Sequence, residues 1–301
     1  MINNNTKQRG FTLVELMITL VLSLLITYGI AQVLISSNQN SSSSDGASQA
    51  QETARFVMNF IGRQIRSTGI NSMSDRELTS RTAMGCDVAN LNANNACSFN
   101  NDAGATEANI TVGPGVLSGD RLALSWIPPS VDLTYPPRAP VDPSPVFPSI
   151  TTDCTGALLP GFAPNTMIIN TFWVSFDQDS GTNSLFCQGR QFDNVTQTII
   201  PPAGVAQVIA NGVEAIQFLY GEATNAASDD VTRYVNANEV NDWNRVFAIK
   251  VSVMTRSLGD ITNSVSTKQY VMLDSDIYTF TDAINRQVFS STFFITNRGE
   301  D

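Results

Sequence analysis

The most constraining feature of this chain is a long apolar stretch close to its N-terminus that contains one carboxylate. Apart from the weakly acidic Tyr28, Glu15 is the one ionisable side chain between Phe11 and Ile35. As a helix, this stretch of about 25 residues rises roughly 1.5 Å per residue and spans about 37 Å, enough to cross the apolar core of a bilayer. A charge at that depth costs on the order of 2.5–3.5 kcal/mol on insertion scales. The sequence therefore predicts a transmembrane helix over residues 11–35 whose carboxylate needs a cationic partner.

A cation for Glu15 would arise if the chain were cut after Gly10, because the cut would free the α-amino group of Phe11. Glu15 lies one turn further along the same helix and points outward, so the amine of a neighbouring subunit, shifted by about a turn, is the better partner. The alternative is an ordinary signal peptide or a plain single-pass anchor. A signal peptide has a shorter apolar region with small residues at its end, whereas here the glycine precedes a longer run. We therefore predict a leader of residues 1–10.

The absence of histidine excludes several kinds of active site. Ser-His-Asp and Cys-His nucleophilic sites, histidine zinc sites and an imidazole general base all need that side chain, and the chain has none. The sequence also lacks a P-loop, a G-x-G-x-x-G element and a nucleophile elbow. We therefore expect no enzymatic activity and no cofactor.

The net charge restricts the binding partners. It is −10 for the whole chain and becomes −12 when residues 1–10, with Lys7 and Arg9, are removed. Nucleic acid and anionic lipid headgroups are bound through dense basic patches. We therefore expect no direct binding of nucleic acid, and contact with the membrane through residues 11–35.

Four cysteines follow the apolar stretch, and their side of the membrane decides their chemistry. If Lys7 and Arg9 stay in the cytoplasm, everything after the stretch is exported to an oxidising compartment, where disulfides form. Zinc is the alternative, but the successive spacings of 11, 57 and 33 residues contain no C-x-x-C pair. Of the three possible connectivities, the shortest loops favour the pairs Cys86–Cys97 and Cys154–Cys187.

The helical pattern continues beyond the transmembrane stretch. A polar run over residues 36–46 has poor helix propensity and predicts a hinge or a frayed section. Apolar residues then recur at helical spacing on one stripe, at Ala50, Ala54, Val57, Ile61 and Ile65. We predict one helix, continuous or interrupted, from Phe11 to about Thr68, with residues 36–69 as hinge and amphipathic second half.

The chain beyond Gly69 reads as strands and loops, a globular β-rich head over residues 70–301. The clearest strand is 246–256, in which apolar residues alternate with smaller or polar ones. Six further segments have strand character: 121–127, 166–176, 185–190, 213–220, 268–273 and 288–296. We expect one antiparallel sheet that covers the helix stripe, which gives an α+β fold.

Two loop segments allow two interpretations each. Ten of the thirteen prolines lie in residues 128–164, which predicts a surface excursion, because proline cannot donate to a sheet. This excursion is either a tolerated insertion or a contact loop for another protein. Asp177, Asp179 and Asn183 place oxygen atoms around a glycine, as in a hairpin turn or, more weakly, a calcium loop.

Several motifs resemble those of a known family. The sequence Arg9-Gly10-Phe11-Thr12-Leu13-Val14-Glu15-Leu16 resembles the class III leader junction of type IV prepilins and of type II secretion pseudopilins. Further segments along the chain resemble PilW-type minor pilins: 54–66, Gly69, 84–86, 212–221, 233–235, 242–243, 286–292 and 297–298.

This resemblance implies a pilin-like fold and a structural role. It implies cleavage after Gly10 and N-methylation of Phe11 by the prepilin peptidase/methyltransferase, and filament assembly in which Glu15 neutralises the N-terminus of a neighbour. The implied function is a minor pilin that primes type IV pilus assembly, close to the filament tip, in support of adhesion, twitching motility or DNA uptake.

The implied partners and location follow from that role. Partners are other minor pilins, the major pilin, the inner-membrane assembly platform and, as a further possibility, a tip adhesin. The protein is expected in the bacterial inner membrane with its head in the periplasm before assembly, and on the pilus at the cell surface afterwards. Two alternatives are a minor pseudopilin of a type II secretion system and a pilus-borne surface adhesin.

Overall fold

The computed structural model describes most of the chain, namely residues 10–69, 85–86, 94–101, 118–127, 150–160, 166–193, 195–201, 204–225, 230–258 and 265–296. It divides into two compact units, an N-terminal one up to Asp45 and a second one from Gly46 onwards. A single long helix, α1, covers Leu13–Ser67 and contributes to both units. Within the described ranges, the remaining regular structure consists of strands and one short 3-10 helix, Trp243–Arg245. The fold is α+β and pilin-like, as predicted.

Helix α1 ends where the sequence predicts. Its last turn stops at Ser67, and Gly69 follows with a φ of +76°, a backbone conformation that side chains other than glycine rarely adopt. The amide of Gly69 donates to the carbonyl of Ser125, so the end of the helix is fastened to the head. The polar run over residues 36–46 is helical here, and a hinge in it stays a prediction.

Five strands form the first sheet. Its central order is β1 (Arg121–Trp126), β4 (Thr166–Asp177), β5 (Thr182–Asp193) and β6 (Thr198–Ile200), and β7 (Gln207–Asn211) also pairs with β5. All of these pairings are antiparallel. The long hairpin β4–β5 forms the centre of this sheet. Its paired residues run from Thr166 with Asp193 to Asp177 with Thr182.

Four strands form the second sheet, in the order β13 (Arg286–Phe294), β10 (Val246–Arg256), β8 (Val213–Glu222) and β9 (Arg233–Val235). Two smaller antiparallel pairs complete the head. One pairs β2 (Ile150–Thr152) with β3 (Leu158–Pro160), and the other pairs β11 (Ser266–Tyr270) with β12 (Tyr278–Asp282). All seven predicted strands are present.

The prediction of one sheet is wrong, because the chain changes sheets at Gly212. Strands β7 and β8 are separated by this one residue, yet β7 belongs to the first sheet and β8 to the second. Gly212 has a φ of +73°, and its amide donates to the carbonyl of Asn183 while its carbonyl accepts from the amide of Arg256. The chain turns at this glycine, so the strand before it joins the first sheet and the strand after it joins the second.

Both sheets pack against the second half of α1 in one hydrophobic core. Val57, Ile61 and Ile65 of the helix are fully buried in it. The first sheet contributes apolar side chains of β1, β4 and β5, and the second those of β8 and β10: Leu122, Leu124, Phe172, Val174, Leu185, Ile216, Phe218, Tyr220, Ile249, Val251 and Val253. The helix stripe therefore holds the two sheets together, as burial of apolar area is the main favourable term in folding.

Two disulfides fasten loops to this core. Cys86 is bonded to Cys97 with Cα atoms 5.0 Å apart, and Cys154 to Cys187 with Cα atoms 6.5 Å apart. The second bond attaches the β2–β3 pair to strand β5, in the part of the proline-rich segment that the structure describes. The predicted surface excursion otherwise lies outside the described residues, at 128–149 and 161–164.

We predict that Ile61→Ala lowers the free energy of unfolding by about 2–5 kcal/mol, because it opens a cavity where the helix meets both sheets. Chemical denaturation of the mature chain in detergent, followed by circular dichroism, measures this loss. Ile277→Ala removes the same atoms from a side chain that is 54% exposed and serves as the control. Equal losses in the two variants would contradict the shared core.

We predict that the two disulfides differ in their contribution to stability. The Cys154–Cys187 bond closes a loop of 33 residues and the Cys86–Cys97 bond one of 11. In the loop-entropy model each contributes roughly 3 kcal/mol, and the longer loop gains about 1 kcal/mol more. Denaturation of the two double Cys→Ser variants tests this. A larger loss for the Cys86 and Cys97 variant would show that loop length is not the deciding factor.

Candidate assembly site

The N-terminus of α1 is fixed by a side-chain cap at Thr12. Its hydroxyl oxygen accepts a hydrogen bond from the amide of Glu15 at 3.3 Å, and its carbonyl accepts from the amide of Leu16 at 3.2 Å. This is the N-terminal half of a capping box, in which Thr occupies the cap position and Glu the third helical position. Sequence reasoning missed this cap, although its signal, Thr-x-x-Glu before an apolar run, is present at Thr12 to Glu15. Thr12 therefore fixes the start of the helix two residues after Gly10.

The helical residues that follow expose apolar side chains on every side. From Phe11 to Ile35, the large apolar side chains are each more than half exposed. Three hydroxyl groups in this stretch are satisfied by the helix itself, since Thr19, Ser23 and Thr27 each donate to a carbonyl three or four residues earlier at 2.8–2.9 Å. By length and composition this helix is able to cross a membrane. A surface of this kind needs an apolar environment.

The Glu15 carboxylate is the exception on this surface. It lies in the first turn of α1, where the helix dipole favours a negative charge. The described residues offer its carboxylate neither an ion pair nor a hydrogen bond. Gly10 and Phe11 lie directly ahead of it and are exposed. Gly10, Phe11 and Glu15 therefore lie within six residues of each other at the start of α1, and the predicted cleavage position is exposed.

Motifs of the head that lie far apart in sequence meet in its core. The indole of Trp243 packs so closely on Gly85 that a Cβ atom there would overlap it. The ring of Tyr220 meets the same indole edge to face, with centroids 4.9 Å apart. The buried carboxylate of Glu222 accepts from the amide of Asp242 at 2.8 Å and from the guanidinium of Arg233. These residues therefore form a structural cluster, with the disulfide of Cys86 beside it.

The loop with the weak calcium prediction forms a hairpin turn between β4 and β5. The Asp177 carboxylate accepts from the amides of Asp179 and Ser180, and its pKa is held below the ordinary value by hydrogen bonds, chiefly from the Ser180 side chain. Asn183 is buried, and its side-chain amide donates to the backbone carbonyl of Glu214. In the part of the chain that the structure describes, no group of three His, Cys, Asp or Glu side chains is placed to hold a metal ion.

The fold and the N-terminal segment together define a pilin-like protein, with an apolar helix whose amphipathic continuation packs on a β-rich head. Comparison with protein families is consistent with this class. Residues 171–297 match the model of Type IV Pilus-assembly protein W, and residues 5–27 match the Prokaryotic N-terminal methylation motif. Both matches confirm the predicted resemblance to PilW-type pilins with a prepilin motif. Searches of the curated proteins and of the solved structures gave no match.

We predict that Thr12→Ala weakens the first turn of α1 by about 1 kcal/mol, the usual value of an N-cap side chain. The amide of Glu15 loses its acceptor, so its hydrogen exchange in detergent micelles should be about fivefold faster, because each 1.4 kcal/mol is a factor of ten. Thr12→Ser keeps the hydroxyl and should exchange like the wild type. Identical exchange in both variants would show that the hydroxyl does not cap this helix.

Proposed function

We propose that this minor pilin primes type IV pilus assembly and is incorporated close to the filament tip, in support of adhesion, twitching motility or DNA uptake. The observation that carries the proposal is the Glu15 carboxylate, to which the described residues offer no partner, at the start of a helix with an otherwise apolar exposed surface. A single subunit cannot satisfy both the charge and the apolar surface. A filament of such helices satisfies both at once.

The proposal assigns a role to each residue of the N-terminal segment. The prepilin peptidase/methyltransferase cuts after Gly10 and methylates the new N-terminus at Phe11. The positively charged amine of one subunit then pairs with Glu15 of a neighbour, and the pairing sets the axial register between subunits. In an apolar surrounding such a pair gains far more than in water, while either charge alone is costly.

The head acts in the choice of neighbours rather than in chemistry. Its partners are other minor pilins, the major pilin and the inner-membrane assembly platform, with a tip adhesin as a further candidate. Before assembly α1 holds the protein in the inner membrane with the head in the periplasm, where the two disulfides form. The absence of histidine supports a non-enzymatic role.

The experiment that tests the proposal replaces the chromosomal copy with Glu15→Ala. We expect loss or strong reduction of surface pili, with normal cleavage after Gly10 by mass spectrometry and normal secretion of type II substrates. Glu52→Ala removes an exposed carboxylate from the second half of the same helix and should leave piliation unchanged. It controls for the loss of one negative charge.

Other outcomes separate the alternatives. Lost secretion with normal pili would assign the protein to the minor pseudopilins of a type II secretion system. Unchanged pili and unchanged secretion would refute both assembly roles. An adhesin role would require that the head alone bind a surface ligand, whereas an assembly role predicts no such ligand.

A further inference from the structure

Two buried arginines lie on the same face of the first sheet, the face turned away from α1. Arg121 on β1 pairs with Trp173 of β4, and Arg190 on β5 pairs with Ile169 of β4. Trp173 and Ile169 are four residues apart and therefore lie on the same face of β4. Because side chains alternate between the faces of a strand, both guanidinium groups are on one side. Arg121 is 8% and Arg190 9% exposed. Thr171 lies midway between Ile169 and Trp173 on this face of β4, and its side chain is fully buried.

The two arginines differ in how well their donors are satisfied. Arg121 donates to the carbonyl of Cys97 at 2.7 Å and to the side chain of Asn95 at 3.3 Å. Arg190 donates through Nη2 to Oε1 of Gln188 at 2.5 Å. Its Nη1 is buried and has no acceptor, and the buried hydroxyl of Thr171 also has no partner. Two polar atoms are thus left unsatisfied on one sheet face.

The charges on this face are also uncompensated. The described residues place no carboxylate within ion-pair distance of Arg121 or Arg190, whereas the buried Arg286 pairs with Glu214 and Asp282. Burial lowers the pKa of Arg190, and the nearby charge of Arg121 lowers it further. Burying an unpaired charge costs several kcal/mol in proteins, so two neighbouring guanidinium groups without a counter-ion are unfavourable.

We propose that this face binds one carboxylate or small oxyanion between Arg121 and Arg190, which accepts from Nη1 of Arg190 and from the hydroxyl of Thr171. A planar guanidinium with an unused N–H group matches the oxygens of a carboxylate, sulfate or phosphate. The group comes from one of two sources, a free oxyanion in solution or an acidic side chain of the chain itself. The site is distinct from the N-terminal assembly segment and does not depend on its function.

The test measures thermal unfolding of the mature full chain in detergent micelles, in sodium sulfate and in sodium chloride at equal ionic strength. If the site takes a free oxyanion, sulfate at ten times its Kd should raise the Tm of the wild type by about 3–5 °C over chloride. Arg190→Met should lose this binding contribution and keep only the general stabilisation that sulfate gives any folded protein. Arg63→Met, which removes an exposed arginine of α1, should keep the binding contribution.

The second source gives a different pattern. If a carboxylate of the chain occupies the site, sulfate adds no binding contribution, and Arg190→Met lowers the Tm by several degrees because that carboxylate loses its partner. Arg190→Lys should recover part of the loss. If sulfate adds no binding contribution and Arg190→Met leaves the Tm unchanged or raises it, the site does not exist.

A second variant keeps the test decisive if Arg190→Met fails to fold. Thr171→Val has nearly the same shape as the wild type and retains both charges, but it lacks the hydroxyl donor. It should reduce the sulfate-dependent rise, or lower the Tm when a carboxylate of the chain fills the site. A Thr171→Val variant that matches the wild type in both salts would overturn the proposed contact at that hydroxyl.

Discussion

The constraint that most shapes this molecule is the one carboxylate, Glu15, on an otherwise apolar and exposed helix surface, where the described residues offer it no ion pair. The carboxylate sits in the first turn of a helix whose other exposed side chains up to Ile35 are largely apolar. Thr12 fixes that turn by capping it, so the position of the carboxylate relative to the residue after Gly10 is set by local structure. The N-terminal unit therefore presents one carboxylate at a fixed position on an apolar surface, as the proposed filament contact requires.

In the described part of the head, by contrast, most buried polar groups have hydrogen-bond partners within the chain. Glu222 is buried but accepts from two backbone amides and from Arg233. Asp120 is 2% exposed and accepts from the amides of Asn101 and Phe218 at 2.8 Å. A buried carboxylate that accepts several N–H bonds is stable without a ligand. Within the described residues these buried carboxylates are partnered, whereas the Glu15 carboxylate at the helix start is not.

Much of this architecture could be predicted from sequence because its signals are local. The stripe from Ala50 to Ile65, the stop at Gly69 and the strand 246–256 are patterns of a few neighbouring residues, and the structure has each of them. The alternation in 246–256 predicts a half-buried strand, but β10 is buried on both faces, because it lies between two other strands and packs on both sides. The short strands β2, β3, β6 and β9 have three residues each, too few for a period to be recognised. The cap at Thr12 had a usable signal in its Thr-x-x-Glu spacing.

What could not be predicted depends on residues that are distant in sequence and adjacent in space. The division into two sheets rests on Gly212, which in sequence looks like any other glycine between two strands. Arg121 and Arg190 are 69 residues apart, and only the register of β1, β4 and β5 puts them on one face. The same holds for Gly85 and Trp243, whose contact requires a glycine because an indole occupies the space of the Cβ atom. Long-range register, rather than local pattern, therefore decides both the core of the head and its unpaired charges.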